Sequence, residues 1–452
     1  MTTKSSIKEV LAIFSDSAKS SGIILACAIF AIILAIPAVN ASTQCHSPSY
    51  RYSADFEPQS AVWISWPNYI GIDPTRSDYL NETPVAIGMI KALTPHVTVK
   101  LVVDSMDSER MIKKIMAQNK ISLTNVSFQV LPYLDIGTRD WGPIYIVNKE
   151  GDKKIVHFNF TYWGLPQYAP ADEENLCDEF ASKVAKKQNL PVVEANMVSE
   201  GGDRSFNSKG VMMTIEHTEL QRNPGMTKAQ LEAKYKSVLG VTKVIWLKRG
   251  VVDDSESNEA MWPGPDGITK NAYAYGAEHV DEIAQFADAH TILLAWVTAE
   301  EARKDPIAAI NRQRLLENYQ ILQSATDQDG KPFKIVLVPA AETMYYNSTL
   351  NDDLCAWVSE MTFLDGSTFP QGTAPIFQLV PTSYMNILIS NGVVLVPQYW
   401  EPGKSNSIKQ KDAQVMSIMK SAFPGRKIIG VDPLAYNIGS GGGMHCSFQQ
   451  EP

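Results

Sequence analysis

The chain has 452 residues, 44% of them apolar and 20% charged, with 27 glycines, 26 prolines and a net charge of −9. That length is more than one ordinary core needs, so it implies two or three units or one large closed fold. The negative balance excludes nucleic acid and anionic membrane surfaces as partners, and it suits a cationic substrate or simply a soluble surface.

In chain order, the first element is an uncharged run, Gly22–Val39, preceded by Lys4, Lys8 and Lys19. Its length is close to the roughly 18–20 residues that span a bilayer. Pro37 and the small residues after it offer a cleavage site following Ala41. Residues 1–41 are therefore expected to be a signal peptide or an uncleaved membrane anchor, with residues 42–452 exported as one catalytic domain. The five cysteines, Cys27, Cys45, Cys177, Cys355 and Cys446, stand singly without a CxxC spacing, so neither a disulfide framework nor a structural zinc is expected. Asn81, Asn125, Asn159 and Asn347 begin glycosylation sequons, which matter only in a eukaryotic secretory host.

Beyond the leader, short β-branched runs alternate with amphipathic stretches. Strands are predicted over 61–66, 97–103, 143–148, 155–160, 211–216, 243–247, 291–297, 334–339, 391–397 and 427–431. Helices are predicted over 84–93, 108–119, 172–188, 228–239, 306–323 and 412–423; in the second, Met111, Ile112, Ile115 and Met116 share one face. The alternation predicts an α/β fold. Strands outnumber helices and no GxGxxG follows the first strand, which disfavours a doubly wound dinucleotide fold. No repeat period is visible in the sequence.

Four segments carry more chemistry than structure requires. "DIGTRDWGP" crowds Asp135, Arg139 and Asp140 before an apolar strand, although a charged turn looks the same. "EGGDRSFN", from Glu200 to Asn207, has glycines that permit close backbone approach to a ligand or merely a turn. "EHVDE" sets His279 and Asp281 two apart, on one face if the segment is a strand, pairing a proton-transfer group with a carboxylate. "GGGMHCSFQQ" ends in adjacent His445 and Cys446, which point opposite ways in an extended segment. His445 is thus a poor base for Cys446, and His279 is the leading candidate. His217, in a polar turn, reads as solvent-facing.

With "FEPQSAVWISWP" and "SYMNILISNGVVLVPQ" added, these segments resemble, in order and spacing, the agmatine deiminase and bacterial-type peptidylarginine deiminase family from about residue 52 to the C-terminus. The resemblance implies a pentein fold, a five-bladed α/β propeller of pseudo-fivefold ββαβ modules around a central active site. It implies guanidine hydrolysis without metal or organic cofactor. Asp140 and Asp281 would grip the guanidinium, Cys446 would attack its carbon, and His279 would serve as acid and then base. Arg139, Trp163, Glu200 and Asn386 are expected around the substrate, Glu200 facing a cationic tail or a hydrogen-bonding group. Gly137 stands where agmatine deiminases carry tryptophan, which enlarges one pocket wall. The stretch after "RDWGP" lacks the cationic residues that hold a substrate carboxylate in the peptidylarginine branch, and Trp163–Gly164 look like the "WGG" of the agmatine branch. Agmatine is therefore the first expected substrate and peptidyl arginine the second. An amidinotransferase or a silent binding protein on the same scaffold are the further alternatives. The oligomeric state is left open.

Overall fold

Five times along the chain a short strand pairs antiparallel with a second, and the second runs parallel to a third across a helical connection. The computed structural model describes residues 49–67, 81–133, 136–168, 173–348, 358–370, 372–373 and 375–452. The apolar run and cleavage site before residue 42, together with Cys27, Cys45, Asp135 and Cys355, lie outside these.

The first module combines both ends of the chain. Phe448–Glu451 pairs antiparallel with Ala61–Ser65, which runs parallel to Thr98–Val103 after the helix Thr83–Leu93. In the second, Ile144–Val147 precedes Lys153–Asn159, and two helices, Glu173–Asp178 and Phe180–Gln188, lead to Val192–Val198. The third joins Ser205–Phe206, Val211–Ile215 and Lys243–Leu247. The fourth joins Ala284–Phe286, Thr291–Trp296 and Lys334–Pro339. The fifth joins Leu388–Ser390, Val393–Pro397 and Lys427–Val431. A further four-stranded sheet, Trp262–Pro263 with Lys270–Ala274, Phe377–Leu379 and Tyr345–Asn347, stands outside the repeat.

The middle strands of the first, second, third and fifth modules bury apolar residues on both faces because each face enters a different core, while in the fourth Ile292, Leu293 and Leu294 all enter the largest one. Trp63 packs with Tyr145, Ile155 and Phe180, joining the first module to the second. Val156 and Ile146 pack with Met212 and Tyr235, joining second to third. Met213, Leu293 and Val394 share the largest core, across the third, fourth and fifth. Val393 and Leu395 meet Val62 and Ile64, joining fifth to first. The shared cores close the modules into a ring, which is the pentein architecture the motifs imply. A Val, Ile or Leu buried in this way contributes about 1.5–3 kcal/mol.

All ten predicted strands are present. The helix expected over 172–188 is broken between Asp178 and Phe180, and that expected over 412–423 begins earlier, at Asn406, where the Ser405 side chain caps it.

Candidate active site

Each of the five modules presents one loop just ahead of its first strand, and these loops meet one another. The amide of Arg139 donates to the Cys446 carbonyl at 2.9 Å, tying second module to first. Gly202 N donates to Asp140 Oδ1 (2.9 Å), and Val280 N to Asp203 Oδ1 (3.0 Å), tying second to third and third to fourth. Ser383 Oγ donates to the Glu282 carbonyl (2.6 Å), and His445 N to Asn386 Oδ1 (2.7 Å), completing the circle. Asp140, Glu200, His279 with Asp281, Asn386 and Cys446 therefore come together, one set from each module.

Cys446 is half-buried in a turn. Its Sγ accepts from Asn386 Nδ2 at 3.1 Å and lies 3.6 Å from Asp281 Oδ2 and 3.9 Å from Glu282 Oε1. Burial pushes the thiol well up, and the charges of Asp281, Glu282 and Asp140 push it further. No histidine bonds the sulfur among the described residues. The His279 ring instead sets Nε2 3.1 Å from Glu200 Oε2 and Nδ1 3.7 Å from Asp140 Oδ1. Burial opposes charging of that ring, but Asp140, Glu200 and Asp281 outweigh it and raise its pKa to about 10. The placement suits His279 to give a proton to a leaving group and not to take the thiol's. His279 is not on a strand as its spacing with Asp281 suggested. It precedes a single 3-10 turn, Val280–Glu282, and Glu278 before it holds φ of 56°.

Asp140 accepts from Trp163 Nε1 at 2.9 Å, and burial raises its carboxyl. Asp281 is bonded through Oδ2 only, by His445 Nδ1 at 2.7 Å, while its Oδ1 is buried with no hydrogen-bond partner. Glu282 Oε2 is buried without a partner too, its Oε1 accepting from Asn386 Nδ2 at 2.6 Å. Burial first, then Asp254 and Asp281, push the Glu282 carboxyl well up. Glycine is required at Gly202 and Gly443, among others. A Cβ on Gly202 would overlap His279 Nδ1, and one on Gly443 would overlap Asn386 Oδ1.

Several expected roles change. Arg139 is 1% exposed and does not line the site: Nη1 donates to Gln450 Oε1 (2.9 Å), and the guanidinium lies 4.8 Å from the Phe448 ring. Glu200 does not await a cationic substrate tail. Both its oxygens accept from Arg222 Nε (2.9 and 3.0 Å), and it orients His279. Despite burial, Arg222 and His279 hold its carboxyl at about 2. His445 and Cys446 do not diverge, because residues 444–447 form a turn and both reach Asp281. His445 is still not the base, since its other nitrogen is taken by Asp55 Oδ2 at 2.6 Å. His217 is half-buried and bonded to Glu278 at 2.6 Å, not solvent-facing.

Sequence reasoning missed Glu282, Arg222 and Asp55. Glu282 was in plain view beside Asp281. Arg222, 4% exposed, links Glu200, Glu256 (2.9 Å) and the Ala277 carbonyl (3.0 Å) ahead of His279, and no local pattern marks it. Asp140 and Asp281 are buried carboxylates on either side of Cys446 and His279, and the unpartnered Asp281 Oδ1 leaves an acceptor for a planar cation.

Comparison with known proteins agrees. An agmatine deiminase of Medicago truncatula is 26% identical over 415 residues, 89% of this chain and 96% of the relative. One of Pseudomonas fluorescens is 26% identical over 411 residues, covering 89% and 95%. The solved agmatine deiminase of Enterococcus faecalis superposes with a TM-score of 0.65 at 24% identity, over 89% of this chain and 96% of its own. The export expected from the N-terminal run is corrected by these findings. Its relatives are agmatine deiminases. No helix among the described residues, which begin at 49, is long and apolar enough to cross a membrane. The sequence profile of the Porphyromonas-type peptidyl-arginine deiminases matches residues 51–452, and the chain belongs to that family.

Proposed function

We propose that the chain hydrolyses a guanidino group through a covalent cysteine intermediate, converting agmatine to N-carbamoylputrescine and ammonia. The observation that carries this reading is the half-buried Cys446 thiol beside Asp281, whose Oδ1 is buried and has no hydrogen-bond partner. A guanidinium presents forked N–H donors, and carboxylates accept them in pairs. Asp140 and Asp281 hold the cation, and its charge lowers the thiol pKa that the carboxylates have raised. With the cation in place the thiol loses its proton to solvent, and the thiolate adds to the guanidinium carbon. Collapse of that adduct expels ammonia as His279 gives up its proton, leaving a cationic thiouronium on Cys446. Neutral His279 then takes a proton from water as the water adds to the same carbon. Cleavage of the C–S bond returns the sulfur and releases the ureido product. Asn386 steadies the sulfur by its amide bond, and Trp163 and Gly202 fix Asp140.

Two features support agmatine as substrate: the relatives named agmatine deiminases and the absence of Lys and Arg between Phe160 and Pro170. The family description favours a second substrate, arginine within a peptide, by the same chemistry. Incubating the chain with agmatine, free arginine and an arginine-containing peptide, while measuring ammonia and ureido product, distinguishes them. Product surviving Cys446→Ala would overturn the mechanism; product from the peptide alone would overturn the choice of agmatine.

A further inference from the structure

Glu278, the residue before His279, holds φ of 56°, and of the non-glycine residues with positive φ among those described it alone is buried. That conformation crowds a Cβ and persists only where the surroundings enforce it. Here every polar group of the residue is held. Its amide donates to the Asp254 carbonyl (2.6 Å), and its own carbonyl accepts from Thr218 Oγ1 (2.6 Å). Oε1 accepts from Arg249 Nε (2.5 Å) and Gly250 N (2.9 Å), and Oε2 from His217 Nδ1 (2.6 Å). Gly250 is part of the grip, because a Cβ there would come within 2.8 Å of Glu278 Cγ. Burial pushes the carboxyl up, but His217 and Arg249 hold it at about 2, so it is charged at neutral pH. None of these partners takes part in the proposed reaction.

We infer that Glu278 is a positioning residue for His279: its clamped carboxylate fixes the left-handed turn that carries the imidazole to Asp140 and Glu200. The inference rests on the reading of His279 as the proton donor and acceptor of the site. The chain is fixed on both sides of the turn. Ahead of it, Arg222 Nη2 donates to the Ala277 carbonyl (3.0 Å); after it, His279 N donates to Asp254 Oδ2 (2.8 Å). The helix Glu216–Arg222 supplies His217, Thr218 and Arg222. One element thus holds the backbone before His279 and, through Arg222, the Glu200 that the ring bonds. The ring has little slack, since its Nδ1 lies where a Cβ on Gly202 would fall. A change of φ at 278 would swing it off both carboxylates, and Asp140, Glu200 and Asp281 are the charges that raise its pKa.

Alanine and glycine at 278 separate positioning from mere stabilisation, because both lack the carboxylate and only glycine accepts the turn without strain. In the full chain Glu278→Ala is expected to lower kcat for agmatine about 100-fold, and Glu278→Gly to recover about tenfold of that loss. KM is expected to stay within about threefold of wild type in both. The His279 pKa, read from ring nitrogen shifts and assigned with His279→Gln, is expected at about 10 in wild type, lower in Glu278→Ala and restored in Glu278→Gly. Wild-type kcat in Glu278→Ala, equal losses in the alanine and glycine variants, or a His279 pKa that Glu278→Ala leaves in place would each overturn the proposal. Should neither variant fold, His217→Leu removes one holder from a half-buried position and is expected to lower kcat several-fold; unchanged kcat would overturn the proposal there. Titration and turnover separate the two readings. A pKa that falls and returns in a chain hydrolysing no guanidine keeps the positioning of His279 and removes the hydrolase, and turnover with an unmoved pKa does the reverse.

Discussion

Replacing Arg222 with glutamine removes the cation that holds Glu200 and, through it, His279. Arg222 is 4% exposed, and its Nε lies 2.9 and 3.0 Å from the two Glu200 oxygens. Burial alone would push that carboxyl up; Arg222 and then His279 bring it down from the usual 4.5 to about 2. At ~1.36 kcal/mol for each pH unit, the difference is worth about 3 kcal/mol of folding stability. Removing one partner of a buried ion pair costs a similar amount, about 3–5 kcal/mol. Because the folded value is depressed, the contribution is complete above pH 4.5 and disappears as pH falls through about 2. The difference in melting temperature between wild type and Arg222→Gln is thus expected to be widest near neutrality and to narrow towards pH 2. Catalysis changes in step. A Glu200 that takes up a proton no longer supports the His279 imidazolium, so the basic limb of kcat/KM, expected near pH 10 in the wild type from the His279 pKa, is expected to move down. Melting curves and rate profiles across pH check both. A destabilisation equal at every pH, or a basic limb left in place, would refute the reasoning.

Asp281→Asn removes the largest charge acting on the Cys446 thiol after burial; iodoacetamide is expected to alkylate that thiol several-fold faster at pH 7 while guanidine turnover is lost. Unchanged alkylation would show that the carboxylate does not control the sulfur. Gly202→Ala puts a methyl into the place of His279 Nδ1, and a misplacement of this size lowers kcat by about 100-fold. Melting within a few degrees of wild type would assign the loss to the ring's position and not to unfolding. His445→Gln breaks the 2.7 and 2.6 Å ion pairs to Asp281 and Asp55; the KM for agmatine is expected to rise about tenfold, with a smaller fall in kcat, in steady-state assays.

Of the ten strands legible in the sequence, five are the middle strands and four the outer parallel strands of the modules. The middle strands are largely buried, and even the more exposed Lys334–Pro339 and Lys427–Val431 keep an apolar run, which is why all of them were legible. Val192–Val198, the corresponding outer strand of the second module, was missed because Val192, Glu194 and Asn196 are exposed. The fivefold repeat was hidden for a related reason. The first strands Ser205–Phe206, Ala284–Phe286 and Leu388–Ser390 have only two or three residues, too few for a period to register. Catalytic candidates were legible because each lies in the loop ahead of such a strand, where the backbone must meet the loops of the neighbouring modules. Arg222 and Asp55 were not, because their partners are remote in the chain. Arg222 reaches Glu200, Glu256 and Ala277, and Asp55 reaches His445.

The loop circle also explains why weak motifs became informative in combination. Each loop bonds the next, from Cys446 through Asp140, Gly202, Asp203, Val280, Glu282 and Asn386 back to His445. A change in one loop therefore moves the donor or acceptor on which its neighbour depends. Five segments in one order can satisfy that circle together, whereas any one of them alone is an ordinary turn. His445 shows a right conclusion reached for a different reason. The sequence set it aside as a base because adjacent side chains diverge in an extended segment; the reason in the structure is that both its nitrogens are bound to carboxylates, and burial does not stop Asp281 and Asp55 from raising its pKa. It acts through Asp281, committing one oxygen of that carboxylate to the protein and leaving the other for the cation that arrives.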